Sequence, residues 1–194
     1  MDNPVGSRQF DIIIGMLLGD GFLERNGKHC RLVADHSAKQ TAYVKWKARE
    51  LTDFNPKVIS KSRNDSRTNQ IYNCCILRTK TSPKLEIFYD LFYKDGKKKI
   101  PKQLPKLISP LVLAIWIMDD GYRRNDCRAL RLNTQSYDWS EQKIIQLALA
   151  RLKISSTIHK QKKYYLVYIP SRSMPRLQLI MRPLIIPTMA YKIV

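Results

Sequence analysis

The sequence predicts an α+β protein made of two copies of one unit, each with the order helix, two strands, helix, two strands, helix. An apolar nonapeptide that ends in an acid and a glycine occurs twice, as IIGMLLGDG at residues 13–21 and as LAIWIMDDG at residues 113–121. The two copies lie 100 residues apart (120 − 20 = 100), which indicates an internal repeat. Similar segments follow both copies, and a stretch rich in proline and lysine separates the halves.

The two nonapeptides predict helices that are buried on all sides, because they have almost no polar face. The Asp-Gly pair marks the end of each helix, since glycine permits a sharp exit of the chain. We expect the first helix to be entered through Asp11. The second has a stronger start, because Ser109 is a good N-cap and Pro110 suits the first helical position.

The same elements follow each motif helix: a strand pair, a helix, a basic hairpin and a short closing helix. Their landmarks in the two halves are strand ends at residues 33–37 and 132–136, capping pairs of Ser37 with Gln40 and of Asp138 with Glu141, hairpins over residues 57–78 and 154–169, and closing helices after Ser82 and near Ser173. The second hairpin should turn at about Lys162 and Lys163.

The boundary between the two halves is predicted in residues 96–105, GKKKIPKQLP. This stretch has too much proline and charge to form a core element. We therefore divide the chain into an N-terminal half over residues 1–101, which includes the start of the linker, and a C-terminal half over residues 102–194.

The composition points to a polyanionic partner. Thirty-five Lys and Arg residues stand against 16 Asp and Glu, which gives a formal net charge of +19, and an excess of this size favours nucleic acid. No apolar run is long enough for a membrane span, and the first residues lack the pattern of a signal peptide, so we expect no membrane association and no secretion. The four cysteines and three histidines lack zinc-ligand spacing, so the cysteines are interpreted as reduced thiols and no zinc site is expected.

The two nonapeptides resemble the signature of the LAGLIDADG homing endonucleases in their single-chain, two-motif form. The second half adds LNTQS at residues 132–136 and PTMAYK at residues 187–192, which are similar to the branch containing the yeast mitochondrial intron-encoded endonuclease. The resemblance covers nearly the whole chain. It implies a monomer with two pseudo-symmetric half-domains packed through the motif helices, and a β-sheet saddle that binds a long, nearly non-palindromic double-stranded DNA site.

The resemblance also implies the chemistry. Hydrolysis of a phosphodiester requires groups that neutralise charge on the attacking and leaving oxygens, and carboxylates that hold divalent metal ions meet this need. The family's acids fall on Asp20 and Asp120, with the carbonyls of Gly19 and Asp119 as further ligands. Mg²⁺, or Mn²⁺, is the expected cofactor. The Asp119 carboxylate is an alternative ligand, but Asp120 occupies the penultimate place of the motif.

A lysine near each acid would stabilise developing phosphate charge or orient water. The resemblance carries these lysines onto Lys98 and Lys192. The register of the first is open by one residue, because residues 97–99 are all lysine, and a solvated basic linker is the alternative. His36 and Gln135 take equivalent places at a strand end in the two halves and are expected to position water or phosphate, with a structural histidine as the alternative to the first.

Alternation along the predicted hairpins separates a core face from a DNA face. Ile158 should point to the helices, which leaves its neighbours for the major groove, where a two-stranded ribbon fits and polar side chains can pair with base edges. The residues expected to contact DNA are Arg25, Asn26, Lys61, Arg63, Arg67, Arg123, Arg124, Asn125, Thr157, His159, Gln161 and Lys163.

Two other functions are compatible with the same fold. One is a maturase that binds its intron RNA and assists splicing, and the other is a non-catalytic DNA-binding regulator. Both motif acids are present, which favours cleavage, and a regulator would not need Asp20, Asp120 and Lys192 together. Because relatives of this kind are encoded in introns, we expect an organelle, mitochondrion or chloroplast, and a role in intron homing.

Overall fold

The structure is a computed structural model that describes residues 6–67 and 69–193. The chain packs into two compact units, Met1–Asp90 and Leu91–Val194. Each unit has its own four-stranded antiparallel sheet with helices between the strands. The α+β fold class and the repeated order of elements predicted from the sequence are therefore confirmed.

The described residues of the first unit form three α-helices and four strands. They are α1 (Ser7–Leu18), β1 (Gly21–Asn26), β2 (His29–Ser37), α2 (Thr41–Glu50), β3 (Lys57–Asp65), β4 (Gln70–Arg78) and α3 (Glu86–Phe92), whose last two residues fall in the second unit. The strand order is β1-β2-β4-β3. Helix α1 is buried from Ile12 to Leu18, as its nearly uniform apolar sequence predicts.

The second unit repeats this order after a small hairpin and a short helix. Its elements are β5 (Tyr93–Lys94), β6 (Lys97–Lys98), α4 (Leu104–Leu107), α5 (Pro110–Asp120), β7 (Gly121–Arg123), β8 (Leu130–Leu132), α6 (Trp139–Arg151), β9 (Thr157–Gln161), β10 (Tyr164–Ile169), α7 (Met174–Met181) and a final 3-10 turn (Pro187–Lys192). The strand order β7-β8-β10-β9 matches that of the first sheet.

The predicted helix starts of the second unit are confirmed in detail. The hydroxyl of Ser109 accepts a hydrogen bond from the Val112 amide at 3.1 Å. At the start of α6, Asp138 and Glu141 form a reciprocal capping box, in which each side chain accepts from the other residue's amide, at 3.0 and 2.9 Å. These contacts satisfy backbone amides at the helix start, which have no carbonyl acceptor within the helix.

Two expectations about element boundaries were wrong. Helix α1 begins at Ser7, four residues before Asp11, because residues 7–10 contain nothing that breaks a helix and the Phe10 amide already bonds the Gly6 carbonyl at 2.9 Å. The stretch 96–105 also contributes to a core: Ile100 and Leu104 are 4% and 0% exposed. Apolar residues placed between the lysines make this possible. The division of the repeat at residue 101 stays a prediction.

None of the helices in residues 6–67 and 69–193 combines the length and the apolar character that a membrane span requires.

Candidate functional site

The first motif helix ends in a tight junction with the following strand. The Gly19 amide donates to the carbonyls of Gly15 and Met16, at 3.2 and 3.1 Å, and closes α1. A Cβ on Gly21 would lie 2.7 Å from the Met16 carbonyl oxygen, so only glycine lets β1 begin this close to the helix. Asp20 lies between the two glycines, with 39% of its side chain exposed.

Asp20 lies beside a histidine of the neighbouring strand. His36, in β2, is 4% exposed, and its Nδ1 lies 3.4 Å from Oδ2 of Asp20 and 3.1 Å from Oε1 of Gln40. The predicted proximity of His36 to the first acid is therefore present within the unit. The sheet register produces it, because β2 pairs with β1 from Gly21 opposite Ala34 onward.

A buried lysine contacts the ring nitrogen of this histidine that does not face Asp20. It is absent from the site residues predicted from the sequence. Lys47, in α2, is 0% exposed. Its Nζ lies 3.1 Å from Nε2 of His36 and 4.2 Å from the centre of the Tyr43 ring. The signal for it was a charged residue on the apolar helix face defined by Val44, Ala48 and Leu51.

The second motif helix ends in the same backbone arrangement. A Cβ on Gly121 would lie 2.5 Å from the Ile117 carbonyl oxygen, which is the same close approach that Gly21 makes. Asp119 is 8% exposed and Asp120 is half-buried. Lys192 lies at this helix end, and its ammonium donates to the carbonyls of Asp119 and Gly121 at 3.2 and 2.8 Å.

A buried tyrosine lies near the second acid, and no sequence pattern predicts it. Tyr137 is 6% exposed. Burial raises the pKa of Tyr137 above its ordinary value of 10.0, and the nearby Asp120 and Glu141 carboxylates raise it further. The phenol is therefore a neutral hydrogen-bonding group near Asp120 at physiological pH.

The other predicted catalytic side chains lie within the second unit. Lys98 is half-buried in β6, while Lys97 is exposed. The ammonium of Lys99 lies 3.6 Å from Glu141, so it supports the start of α6. Gln135 is half-buried in the segment between β8 and α6. Its expected equivalence with His36 is wrong, because Leu132 pairs with Gly121 as Ala34 pairs with Gly21, which makes Thr134 the counterpart of His36. The catalytic and water-positioning roles of Lys98 and Gln135 stay predictions.

Almost all the residues predicted to contact DNA reach solvent. Arg124 is half-buried, and the following side chains are exposed: Arg25, Asn26, Lys61, Arg63, Arg67, Arg123, Asn125, Thr157, His159, Gln161 and Lys163. On β9, Ile158 is more buried than its neighbours, which agrees with the predicted alternation. Several of these groups also have protein partners: Arg25 lies 4.2 Å from the Tyr89 ring centre, Arg63 pairs with Asp35, and Arg124 pairs with Asp126.

Both helix ends offer oxygen donors that suit a hard divalent cation. The Asp20 carboxylate is partly exposed and the Asp120 carboxylate is half-buried. The Asp119 carbonyl, by contrast, already accepts from Lys192, whose Nζ is 3.2 Å from that oxygen. A cation at this carbonyl would meet a second positive charge, so the two carboxylates are the better ligands.

Comparison with known proteins identifies the family. Residues 10–177 match the LAGLIDADG DNA endonuclease family. The chain belongs to this family. The membership expected from the two nonapeptides is therefore confirmed.

Two kinds of relative cover nearly all of the chain. Cytochrome b mRNA maturase bI2 of Debaryomyces hansenii is 29% identical over 99% of this chain and 76% of its own length. DNA endonuclease I-ChuI of Chlamydomonas applanata is 28% identical over 96% of this chain and 94% of its own length. The chain spans 48% of the corresponding Saccharomyces cerevisiae maturase, to which it is 29% identical.

Solved structures share the fold. The homing endonuclease I-WcaI bound to its DNA recognition sequence has a TM-score of 0.89 at 23% identity, over 97% of this chain and 87% of that chain. A variant of I-DmoI in complex with its target DNA in the presence of magnesium has a TM-score of 0.57 at 14% identity, over 91% of this chain and 96% of that chain. At these identities the likeness establishes the fold.

Proposed function

We propose that this protein is a site-specific homing endonuclease that binds a long, nearly non-palindromic double-stranded DNA site and cleaves both strands by metal-dependent hydrolysis. The observation that carries the proposal is the acid in the same place at both motif-helix ends, Asp20 and Asp120. The glycines that follow them are needed for close packing of strand on helix. The carboxylates are not needed for that packing, and their repetition points to chemistry.

DNA is the partner that the charge favours. The net charge is +19, and the predicted contact residues are exposed basic and polar groups on the strands and turns of each unit. Arg, Lys, Gln and Asn can pair with base edges, while the remaining basic side chains neutralise phosphates. I-WcaI and I-DmoI, whose folds this chain shares, are bound to DNA in their structures.

The motif carboxylates are the proposed metal ligands. A Mg²⁺ or Mn²⁺ ion held by Asp20 or Asp120 would neutralise charge on the phosphate oxygens and lower the pKa of its bound water. Lys192, 2.8 Å from the Gly121 carbonyl at the end of the second motif helix, is proposed to stabilise negative charge that develops on the phosphate. Lys98 is proposed for the same role, and Gln135 for the positioning of water or phosphate.

Substitution of each motif acid tests the proposal. The substrate is a duplex that spans the intronless junction of the flanking exons, with each strand labelled separately, in Mg²⁺. We expect Asp20→Asn and Asp120→Asn each to reduce double-strand cleavage by more than about 100-fold, since loss of a group that only supports a metal ligand already costs 10- to 100-fold. The dissociation constant for DNA should change little.

The matched control is Asp53→Asn, which changes an exposed aspartate of the first unit outside the motif. It should cleave like the unmodified protein. Undiminished cutting by either motif variant would contradict the assignment of that acid.

A maturase function is the second candidate, because the Debaryomyces hansenii relative is described as a cytochrome b mRNA maturase. The same basic surfaces would then bind intron RNA. Incubation of the purified protein with its own intron RNA and with the exon-junction duplex separates the two functions. Tight RNA binding with faster splicing, and no cutting of the duplex, would favour the maturase.

The setting of the activity is also proposed. A nuclease that cuts the intronless junction would promote homing of the intron that encodes it. The cytochrome b maturase among the relatives supports an organelle as the compartment. We propose a monomer, because each of the two units supplies its own motif acid. Size-exclusion chromatography with light scattering tests that state.

A further inference from the structure

Lys47 is a charged side chain buried completely beside the first motif end. Its exposure is 0%, and burial of an ammonium group is costly unless partners replace water. Those partners include Nε2 of His36 at 3.1 Å and the face of the Tyr43 ring, whose centre lies 4.2 Å away. A methionine or leucine would fill this place on α2 without the cost, so the charge calls for an explanation other than packing.

The contacts of His36 define where its proton lies. A lysine ammonium can only donate, so Nε2 of His36 must accept from Lys47, and the ring proton must be on Nδ1. Nδ1 faces two acceptors, Oε1 of Gln40 at 3.1 Å and Oδ2 of Asp20 at 3.4 Å. A carboxylate is acceptor-only. These contacts at Nε2 and at Nδ1 therefore support the same tautomer.

We infer that Lys47 is a positioning residue for the first motif acid, which acts by fixing the Nδ1–H tautomer of His36 so that the imidazole donates to the Asp20 carboxylate. The inference rests on the proposed function of Asp20. A carboxylate held through one oxygen has a defined plane, and a metal ligand is oriented in this way by the groups behind it. Without Lys47 the ring could carry its proton on Nε2 and present a lone pair to Asp20.

The described residues of the second unit do not repeat this histidine–lysine pair. By the sheet register Thr134 takes the place of His36, because each lies two residues after the strand residue that pairs with the motif glycine. The place of Lys47, seven residues after Gln40 (47 − 40 = 7), is taken by Ala148, seven residues after Glu141 (148 − 141 = 7). Ala148 is buried and has no side-chain donor. Loss of Lys47 should therefore affect one catalytic acid and not the other.

The tautomer of His36 can be measured without any cleavage. The chain has three histidines, and the ring nitrogens of His36 can be assigned in ¹⁵N-labelled protein as the signals absent from His36→Gln. We expect the proton on Nδ1 in the unmodified protein and a shift toward Nε2 in Lys47→Met, with the signals of His29 and His159 unchanged. A proton on Nε2 in the unmodified protein, or no change in Lys47→Met, would overturn the inference.

Cleavage of each strand gives the second readout. In Lys47→Met we expect the rate constant of one strand to fall about 10- to 100-fold, the rate constant of the other to stay the same, and nicked duplex to accumulate. Binding of the exon-junction duplex should be unaffected. Equal slowing of both strands, or no slowing, would contradict the positioning role.

Thr79→Val is the matched control. Thr79 is 4% exposed, and its hydroxyl accepts from the Leu32 amide at 2.9 Å, so the variant also loses a buried polar contact of the first unit. It should lower thermal stability and leave the ratio of the strand rates unchanged. A strand bias in Thr79→Val as large as that in Lys47→Met would assign the effect to destabilisation and overturn the inference.

A second variant keeps the inference testable if Lys47→Met folds poorly. His36→Thr/Lys47→Ala copies the pair of the second unit, and it should restore balanced strand rates if the lysine serves only to orient the histidine. A persistent bias in this variant would contradict that role. If the unmodified protein cuts no junction duplex, the proposed function fails, while the tautomer measurement still decides whether Lys47 controls His36.

Discussion

The two motif-helix ends have the same backbone and different surroundings. In both, the glycine after the acid lets a strand begin against the helix, because a Cβ would lie 2.7 or 2.5 Å from a helix carbonyl oxygen. The side chains around the acids differ. Asp20 has His36 beside it and Lys47 behind the histidine, whereas the end of α5 has Tyr137 nearby and Lys192 on its carbonyls.

This difference shows which part of the repeat the fold requires. Because the strand approaches the helix so closely, glycine is the only residue that fits after the acid, and this glycine recurs at the same place in both units. Nothing in the backbone dictates what supports each acid. The supporting groups come from different elements in the two units: α2 and β2 in the first, and the final turn and the residue before the α6 cap in the second.

Loss of Lys192 should give the largest effect on this comparison. We expect Lys192→Met to slow cleavage of one strand by about 100-fold, the scale found when one preorganised donor to developing charge is removed. The affected strand should be the one that Lys47→Met leaves unchanged. Strand-resolved rates under single-turnover conditions measure both.

The control for this substitution is Lys102→Met, an exposed lysine of the second unit, which should keep both strand rates. If Lys192→Met and Lys47→Met slow the same strand, the assignment of one support to each motif end is wrong.

Alkaline pH should lower the free energy of unfolding through one buried group in each unit, Cys30 in the first and Tyr137 in the second. Burial, and then the Glu86 carboxylate, raise the pKa of Cys30 from 9.0 to about 11, and the pKa of Tyr137 is raised above 10.0. The folded state then holds each proton more tightly than the unfolded chain, so the stabilisation is complete below the unfolded pKa and is lost as pH rises. We expect the free energy of unfolding to fall above about pH 9, by up to about 1.4 kcal/mol per pH unit for each group.

Urea unfolding at a series of pH values measures this loss. Cys30→Ala should remove the part of the slope that begins near pH 9, and Tyr137→Phe the part that begins near pH 10. Profiles that coincide for the unmodified protein and both variants would show that neither proton is held more tightly on folding.

Local patterns predicted most of the fold. The Ser109 cap depends on contacts within one turn, and its hydrogen bond is present. The second hairpin turns between Gln161 and Tyr164, at the predicted pair of lysines. Such features could be predicted because spacing along the chain fixes the groups that meet.

The surroundings of the acids could not be predicted in the same way. Lys47 meets His36 across eleven residues, through the packing of α2 on the first sheet, and a lysine on a helix ordinarily lies in solvent. Tyr137 reaches the neighbourhood of Asp120 through a turn of the segment between β8 and α6. Contacts of this kind depend on packing between elements, which a single sequence does not specify.

The helix that follows the first strand pair is α2 in the first unit and α6 in the second. Its start offers the smallest and most local test of the comparison. In the second unit, Asp138 accepts from the Glu141 amide at 3.0 Å and caps the thirteen-residue helix α6. In the first unit, Ser37 accepts from the Lys39 amide at 3.4 Å and caps only a three-residue 3-10 turn. We expect Asp138→Ala to lower the free energy of unfolding by about 1 kcal/mol, within the range for lost N-caps, and Ser37→Ala to cost less.

Urea unfolding at neutral pH measures both variants, and a larger loss for Ser37→Ala would contradict the comparison. The expected order follows from what the third capping residue does in each unit. Glu141 accepts from the Asp138 amide and completes a box, whereas Gln40, at the equivalent place, offers its carbonyl oxygen to Nδ1 of His36 at 3.1 Å. Gln40 therefore contacts the histidine beside the first motif acid, whereas Glu141 in the second unit caps the start of α6.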